Sequence, residues 1–134
     1  MTEKGDEILS DEKQYEEAVS GLESGDESAM TKVAFYKLSG RGGAEIDEEG
    51  AVALLKVRSD KGDDVAMWML GLCYEYGIGT EQDIEQATLF YEQSSSFHNT
   101  IGNFLRLRLL QNQTEERRRG RAMRASSLSL KTYG

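Results

Sequence analysis

Residues 66–95, AMWMLGLCYEYGIGTEQDIEQATLFYEQSS, combine helical spacing of apolar side chains with a turn that holds two glycines. One helix face is marked by residues at i, i+3, i+4 and i+7, namely Met67, Leu70, Gly71 and Tyr74. The sequence YGIG at 76–79 could be taken for a phosphate-binding loop. A dinucleotide fingerprint, however, places its glycines after a strand and has a third glycine. The stretch therefore favours a hinge between two helices.

The same unit occurs earlier in the chain. Residues 25–59 align with residues 62–95 at an offset of 37 residues before the glycine turn and 36 after it. Proline, which would interrupt helices, is absent from the sequence. A repeat of this length with two helices is typical of a solenoid, in which each hairpin buries its apolar face against its neighbours. The predicted fold is all-α, an α/α solenoid of antiparallel helix hairpins.

Each recurring small or acidic residue has a mechanical role in this fold. Gly40 and Gly77 stand where the first helix of each repeat ends, and they suit the left-handed conformation of a helix C-terminus. Asp47 and Asp83 precede the second helices as N-caps. Gly71 lies on an apolar helix face, where the missing side chain would let the second helix approach closely.

These residues resemble the pattern of the Sel-one-like repeat, a relative of the tetratricopeptide repeat. The matching positions are Ala66, Leu70, Gly71, Tyr74, Gly77, Gly79, Asp83, Ala87, Tyr91, Ser94 and Ser95. The copy at 25–58 departs from the pattern, with Val33-Ala34 for Leu-Gly and Lys37 for the tyrosine. The resemblance implies a solenoid whose concave surface, lined by the first helix of each repeat, binds a peptide or helix of another protein.

We expect three regions along the chain. Residues 1–10 are predicted to form a flexible N-terminus, and residues 11–112 the solenoid, with repeats at about 25–61 and 62–97. A helix at 11–24 would precede the repeats, and a helix at 98–112 would follow them. Residues 113–134 would form a basic C-terminal tail, flexible from residue 117 onward.

The candidate binding residues lie on a second face of each first helix. Trp68, Leu72, Glu75 and Tyr76 cluster on one side of the helix that begins near residue 64, away from its core-facing side. The repeat offset adds Thr31 and Phe35. By resemblance to the tetratricopeptide arrangement this face lines the concave surface, with Glu75 at the rim. The alternative is that these side chains pack against the neighbouring repeat.

Catalytic and cofactor chemistry finds little support. Cys73 is the only cysteine and His98 the only histidine, and no motif brings them together. Cys73 is more simply a small buried apolar residue. We therefore expect a protein–protein interaction adaptor or scaffold, not an enzyme, with no cofactor and no metal. The acidic N-terminus and the absence of a long apolar run favour a cytoplasmic protein without membrane contact.

Charge is divided unevenly along the chain. Residues 1–100 carry a net charge of −14, whereas residues 101–134 carry +6. The acidic part repels phosphate backbones, so nucleic acid is not an expected partner except through the basic tail. The second function hypothesis is accordingly a protein that acts through its arginine-rich tail, either regulated by phosphorylation or associated with nucleic acid.

Phosphorylation of the tail is the first testable prediction. Five arginines between residues 117 and 124 precede Ser126 and Ser127, so an arginine-directed kinase is expected to phosphorylate one of these serines. The added negative charge would cancel much of the local positive charge. Mass spectrometry after incubation with several such kinases checks this, and a chain that remains unmodified would contradict it.

Overall fold

The computed structural model describes residues 10–133, and the side chains of residues 10–127. Within this part of the chain there are six α-helices, two short 3-10 turns at residues 27–29 and 41–43, and no strand. The helices are α1 (Asp11–Glu23), α2 (Met30–Ser39), α3 (Glu48–Asp60), α4 (Asp64–Tyr76), α5 (Ile84–Ser96) and α6 (Thr100–Tyr133). The hairpins are α2 with α3 and α4 with α5, and α6 packs on α5. The predicted all-α solenoid is confirmed.

The helix ends follow from side-chain caps and from glycine conformation. The Asp47 carboxylate accepts a hydrogen bond from the Gly50 amide at 2.9 Å, and the Asp83 carboxylate accepts one from the Gln86 amide at 3.1 Å. Gly40 and Gly77 have φ angles of 71° and 69°, in the left-handed region that glycine occupies without strain. These caps satisfy backbone groups that would otherwise lack partners, and they fix where each hairpin turns.

Two buried clusters hold the helices together. The first cluster joins the two hairpins and consists of Ala34, Ala51, Val52, Leu55, Ala66, Met69, Leu70 and Cys73. The second cluster joins α5 to α6 and consists of Ala87, Tyr91, Leu105 and Leu109. Each helix of the series is thus held mainly by its neighbours, as expected for a solenoid.

The C-terminal helix is longer than the sequence predicts. We expected a helix at 98–112 followed by a flexible tail, but α6 runs without a break from Thr100 to Tyr133. With a repeat offset of 36, Gln113 stands where Gly77 ends α4, so the chain has no glycine at the position where a turn would form. At the other end, residues 1–9 of the expected flexible segment lie outside the described residues, as does Gly134. Ser10 caps α1 by accepting a hydrogen bond from the Lys13 amide at 3.3 Å.

Gly71 gives a second testable prediction. A Cβ atom built on Gly71 would overlap the ring of Tyr91, whereas one built on Gly21, in α1, would lie at an ordinary contact distance of 3.7 Å from Ala29 Cβ. We expect Gly71→Ala to lower the free energy of unfolding by about 1–3 kcal/mol through overpacking. The control, Gly21→Ala, is expected to raise it by roughly 0.5–1 kcal/mol through helix propensity. Urea denaturation measures both, and a Gly71→Ala protein as stable as the wild type would contradict the close approach of α5.

Candidate functional site: an apolar groove between α2 and α4

A groove with a volume of ≈ 330 Å³ lies between the first helices of the two repeats. It is lined by Phe35, Leu38, Ser39, Glu48, Trp68, Met69, Leu72, Cys73 and Ile78. Ser39 and Glu48 are the polar members of this set. We refer to this surface as the α2–α4 groove. Three of the residues expected on the binding face, Phe35, Trp68 and Leu72, meet here.

Trp68 occupies the position between the groove and the core. Its half-buried ring lines the groove and also packs against both buried clusters. Trp68 therefore contributes both to the candidate binding surface and to the packing between repeats. The indole nitrogen is buried and has no hydrogen-bond partner among the described residues. Trp68 therefore offers the groove carbon surface and no accessible donor.

The other three candidate residues do not line the groove. Thr31 donates a hydrogen bond of 2.7 Å to the carboxylate of Asp63, the residue that caps α4. The Thr31 side chain therefore connects the first repeat to the second. Glu75, expected at the groove rim, is buried, with 6% of its surface exposed. Tyr76 is exposed and accepts a hydrogen bond of 2.7 Å from Arg108. A helical wheel gives the direction of each side chain from its helix axis, but it does not show which neighbours cover that side chain.

Glu75 belongs to a polar network that links three helices. Its carboxylate accepts a hydrogen bond of 2.7 Å from the Tyr91 hydroxyl on α5 and forms an ion pair with Arg108 on α6. Burial, followed by the hydrogen bond to Glu75, raises the pKa of the Tyr91 hydroxyl. The network fixes the position of α6 relative to the α4–α5 hairpin.

Sequence reasoning missed several of these contacts. Arg108 was not singled out, although an arginine within the apolar run FLRLRLL suggests a buried partner of opposite charge. Ile78 belongs to the predicted glycine turn, yet it also lines the groove. The signal in the sequence is a large apolar side chain between Gly77 and Gly79, which indicates that this part of the turn contacts other apolar residues.

The surroundings of the groove are acidic. Glu48 lines the groove directly, and a second surface depression next to α3 carries Asp47, Glu49 and Glu81. Two basic groups of this region form ion pairs: Lys37 lies 3.7 Å from the Asp47 carboxylate, and Arg41, whose guanidinium lies 5.9 Å from the centroid of the Phe35 ring, forms a 2.8 Å ion pair with Asp11. The groove is therefore apolar inside and negatively charged at its edge.

Comparison with known proteins identifies the repeat. The Sel1 repeat model matches residues 27–63 and residues 64–96, which is more than half of the chain. The chain belongs to the Sel1 repeat family. Sel1 repeat proteins generally mediate protein–protein interactions, and the family generally consists of non-catalytic scaffolds.

Relatives and solved structures share this repeat. The chain is 33% identical over 85 residues to the DAP3-binding cell death enhancer 1 of Mus musculus and 30% identical over 83 residues to that of Rattus norvegicus. The matches cover 63% and 61% of this chain but only 17% and 16% of those proteins. A protective antigen of uropathogenic Escherichia coli with an SLR fold superposes with a TM-score of 0.63 at 22% identity, over 75% of this chain and 21% of the antigen. A Sel1 repeat protein from Oxalobacter formigenes superposes with a TM-score of 0.64 at 18% sequence identity. That superposition covers 71% of this chain and 40% of the Oxalobacter protein.

The single cysteine of this Sel1 repeat chain, Cys73, lines the groove, and the single histidine, His98, lies outside it. Burial raises the pKa of the Cys73 thiol to about 11, which disfavours the reactive thiolate. His98 is exposed at the turn between α5 and α6. Among the described residues no three His, Cys, Asp or Glu side chains are grouped so as to hold a metal ion. None of the described helices combines the length and apolar character needed to cross a membrane.

The arginine-rich segment and its serines lie on the distal part of α6. The described side chains from residue 114 to residue 127 are exposed except at Gly120. Ser126 and Ser127 are thus accessible, but on a helix and not in the flexible tail that the sequence suggested. Phosphorylation at these serines remains a prediction.

The Glu75 network gives a third testable prediction. Replacing Glu75 by Gln leaves the partly buried Arg108 guanidinium without a carboxylate, which we expect to cost about 2–3 kcal/mol of unfolding free energy. The exposed Glu81 provides the matched control, since Glu81→Gln should change stability by no more than about 0.5 kcal/mol. Chemical denaturation of both variants measures the difference. Equal stability of the two variants would show that the network does not hold α6 in place.

Proposed function

We propose that this chain is a non-enzymatic interaction module whose α2–α4 groove binds an amphipathic helix or peptide of another protein. The occupant would insert apolar side chains between Phe35, Trp68 and Leu72 and place lysine or arginine side chains toward the acidic edge. An adaptor or scaffold role follows, because such a surface recruits a partner without acting on it chemically.

The observation that carries the proposal is the apolar groove itself. Phe35, Leu38 and Leu72 remain half-buried at a surface where each faces an open volume between two helices. Aromatic and aliphatic side chains held in a concave site are the usual anchors for a partner helix. The groove is set by helices packed on the first cluster, so it is preformed, which lowers the entropy cost of binding.

The relatives support a protein as the occupant. The mouse relative is described as binding DAP3, and its matching region covers 63% of this chain. Family membership supports an interaction role in general terms. The charge of the groove edge adds a preference for a basic partner over an acidic one, since Glu48 lines the groove and residues 1–100 carry a net charge of −14.

Trp68 provides a direct reporter of binding, because it is the only tryptophan in the chain and lies at the groove. A displayed library of helical peptides, unbiased in charge, would be selected against the full chain. We expect the enriched peptides to carry large apolar residues at i and i+3 or i+4, flanked by lysine or arginine. Titration with these peptides should change the Trp68 emission.

Ser39→Arg tests whether the groove is the binding site. Ser39 is exposed and lines the groove, so the substitution fills it and repels basic partners while leaving the buried clusters intact. We expect affinity to fall at least roughly tenfold. Ser20→Arg adds the same charge at an exposed position of α1 and should leave affinity unchanged. Peptides that bind the Ser39→Arg protein as tightly as the wild type would place the binding surface elsewhere.

A further inference from the structure

The last helix of the solenoid has an apolar face that nothing in the described chain covers. Phe104, Leu107 and Leu110 are 63%, 48% and 55% exposed, and we call this set the outer face of α6. Leu105 and Leu109, on the same helix, are 8% and 5% exposed within the second cluster. At 100° per residue, Leu107 lies about 180° from the midpoint of that buried pair. Helix α6 is therefore apolar on two opposite sides, only one of which is packed.

Alignment of α6 with α4, the first helix of the second repeat, indicates which element would pack on the outer face. Both helices begin after a capping side chain, Asp63 in α4 and Asn99 in α6, so they align at an offset of 36 residues. The faces packed on the preceding repeat correspond, since Leu105 and Leu109 align with the buried Met69 and Cys73.

The outer face corresponds to the side of α4 that packs on α5. Leu107 aligns with Gly71, over which the Tyr91 ring lies, and Leu110 aligns with Tyr74, whose ring stacks on Phe90 with centroids 5.6 Å apart. In the second repeat these positions hold the second helix of the hairpin. In α6 the same positions are exposed leucines, because the helix continues to Tyr133 without turning back. The place of a second helix, antiparallel to α6, is thus open.

Charge identifies which helix fits this place. Beyond the outer face, α6 carries five exposed arginines between residues 117 and 124, whereas residues 1–100 carry a net charge of −14. The end of the solenoid where α6 begins bears Asp60, Asp64 and Glu92, and the Asp64 carboxylate accepts a hydrogen bond of 2.7 Å from Asn99 at the start of α6. An occupant with an apolar segment followed by a basic segment would match both surfaces if it ran antiparallel to α6.

We infer that the outer face of α6 is a homodimer interface, in which α6 of a second copy packs antiparallel on it and takes the place of the missing second helix. The two-fold axis lies near Leu107, so that the apolar halves of the two helices face each other. The arginines of each copy then extend over the acidic start of the partner's α6. A parallel pair would instead set five arginines against five arginines, which electrostatic repulsion disfavours.

The mass of the 134-residue chain in solution tests the interface. Sedimentation velocity is expected to give twice the chain mass of 15.0 kDa, with dissociation at high salt because the charge contacts are screened. Leu107→Arg should yield a monomer that retains its helical circular dichroism. Leu89→Arg is the matched control: Leu89 is an apolar residue of α5 with 51% exposure, outside the proposed interface, and its replacement should leave the dimer intact. A wild-type monomer, or a Leu107→Arg dimer, would overturn the proposal.

The direction of the two helices is tested separately. Spin labels on Ala125→Cys, in a Cys73→Ala background, report the distance between the two copies. With the axis near Leu107 and a rise of 1.5 Å per residue, antiparallel helices separate the two labelled sites by about 55 Å. Parallel helices would bring them within about 20 Å, the interaxial distance plus the label arms. The longer distance supports the antiparallel arrangement, and the shorter one rejects it.

Discussion

The contact between the Tyr91 ring and the backbone of Gly71 determines how the second hairpin and the last helix are assembled. Glycine at this point lets α5 approach α4 so closely that the ring is fully buried over it. The same tyrosine then places its hydroxyl on the Glu75 carboxylate, and Glu75 in turn pairs with Arg108 of α6. One side chain therefore sets the spacing of a hairpin through its ring and the position of the next helix through its hydroxyl.

The two interaction surfaces arise from this packing in different ways. The α2–α4 groove exists because the packing of α2, α3 and α4 on the first cluster leaves Phe35, Trp68 and Leu72 only partly covered. The outer face of α6 exists because no second helix folds back onto it within the described chain. The proposed partner helix and the proposed second copy would thus use separate surfaces, and occupation of one would leave the other open. A dimer would then present two grooves.

Polar groups at the ends of repeats serve mainly to hold them together. Thr31 and Arg58 both contact the Asp63 carboxylate, whose hydrogen bonds to Thr31 and to the Ala66 amide outweigh its burial and lower its pKa. Ser94 is fully buried and donates a hydrogen bond of 2.8 Å to the Asp64 carbonyl, and the missing side chain of Gly102 lets α6 pack closely against it. Capping and close packing thus account for the small and acidic residues that recur in the repeat.

The helices, their caps and the repeat can be predicted from the sequence, because they depend on local preferences. No knowledge of distant contacts is needed to predict left-handed glycines such as Gly77, capping carboxylates such as Asp83 or the 36- to 37-residue period. The tertiary structure alone decided that Glu75 is buried, that Ile78 lines the groove and that Arg108 anchors α6, since a helical wheel gives direction but not the neighbour that lies there. It also decided the length of α6: composition suggested a flexible basic tail, whereas the absence of a turn-forming glycine at Gln113 lets the helix begun on the second cluster continue.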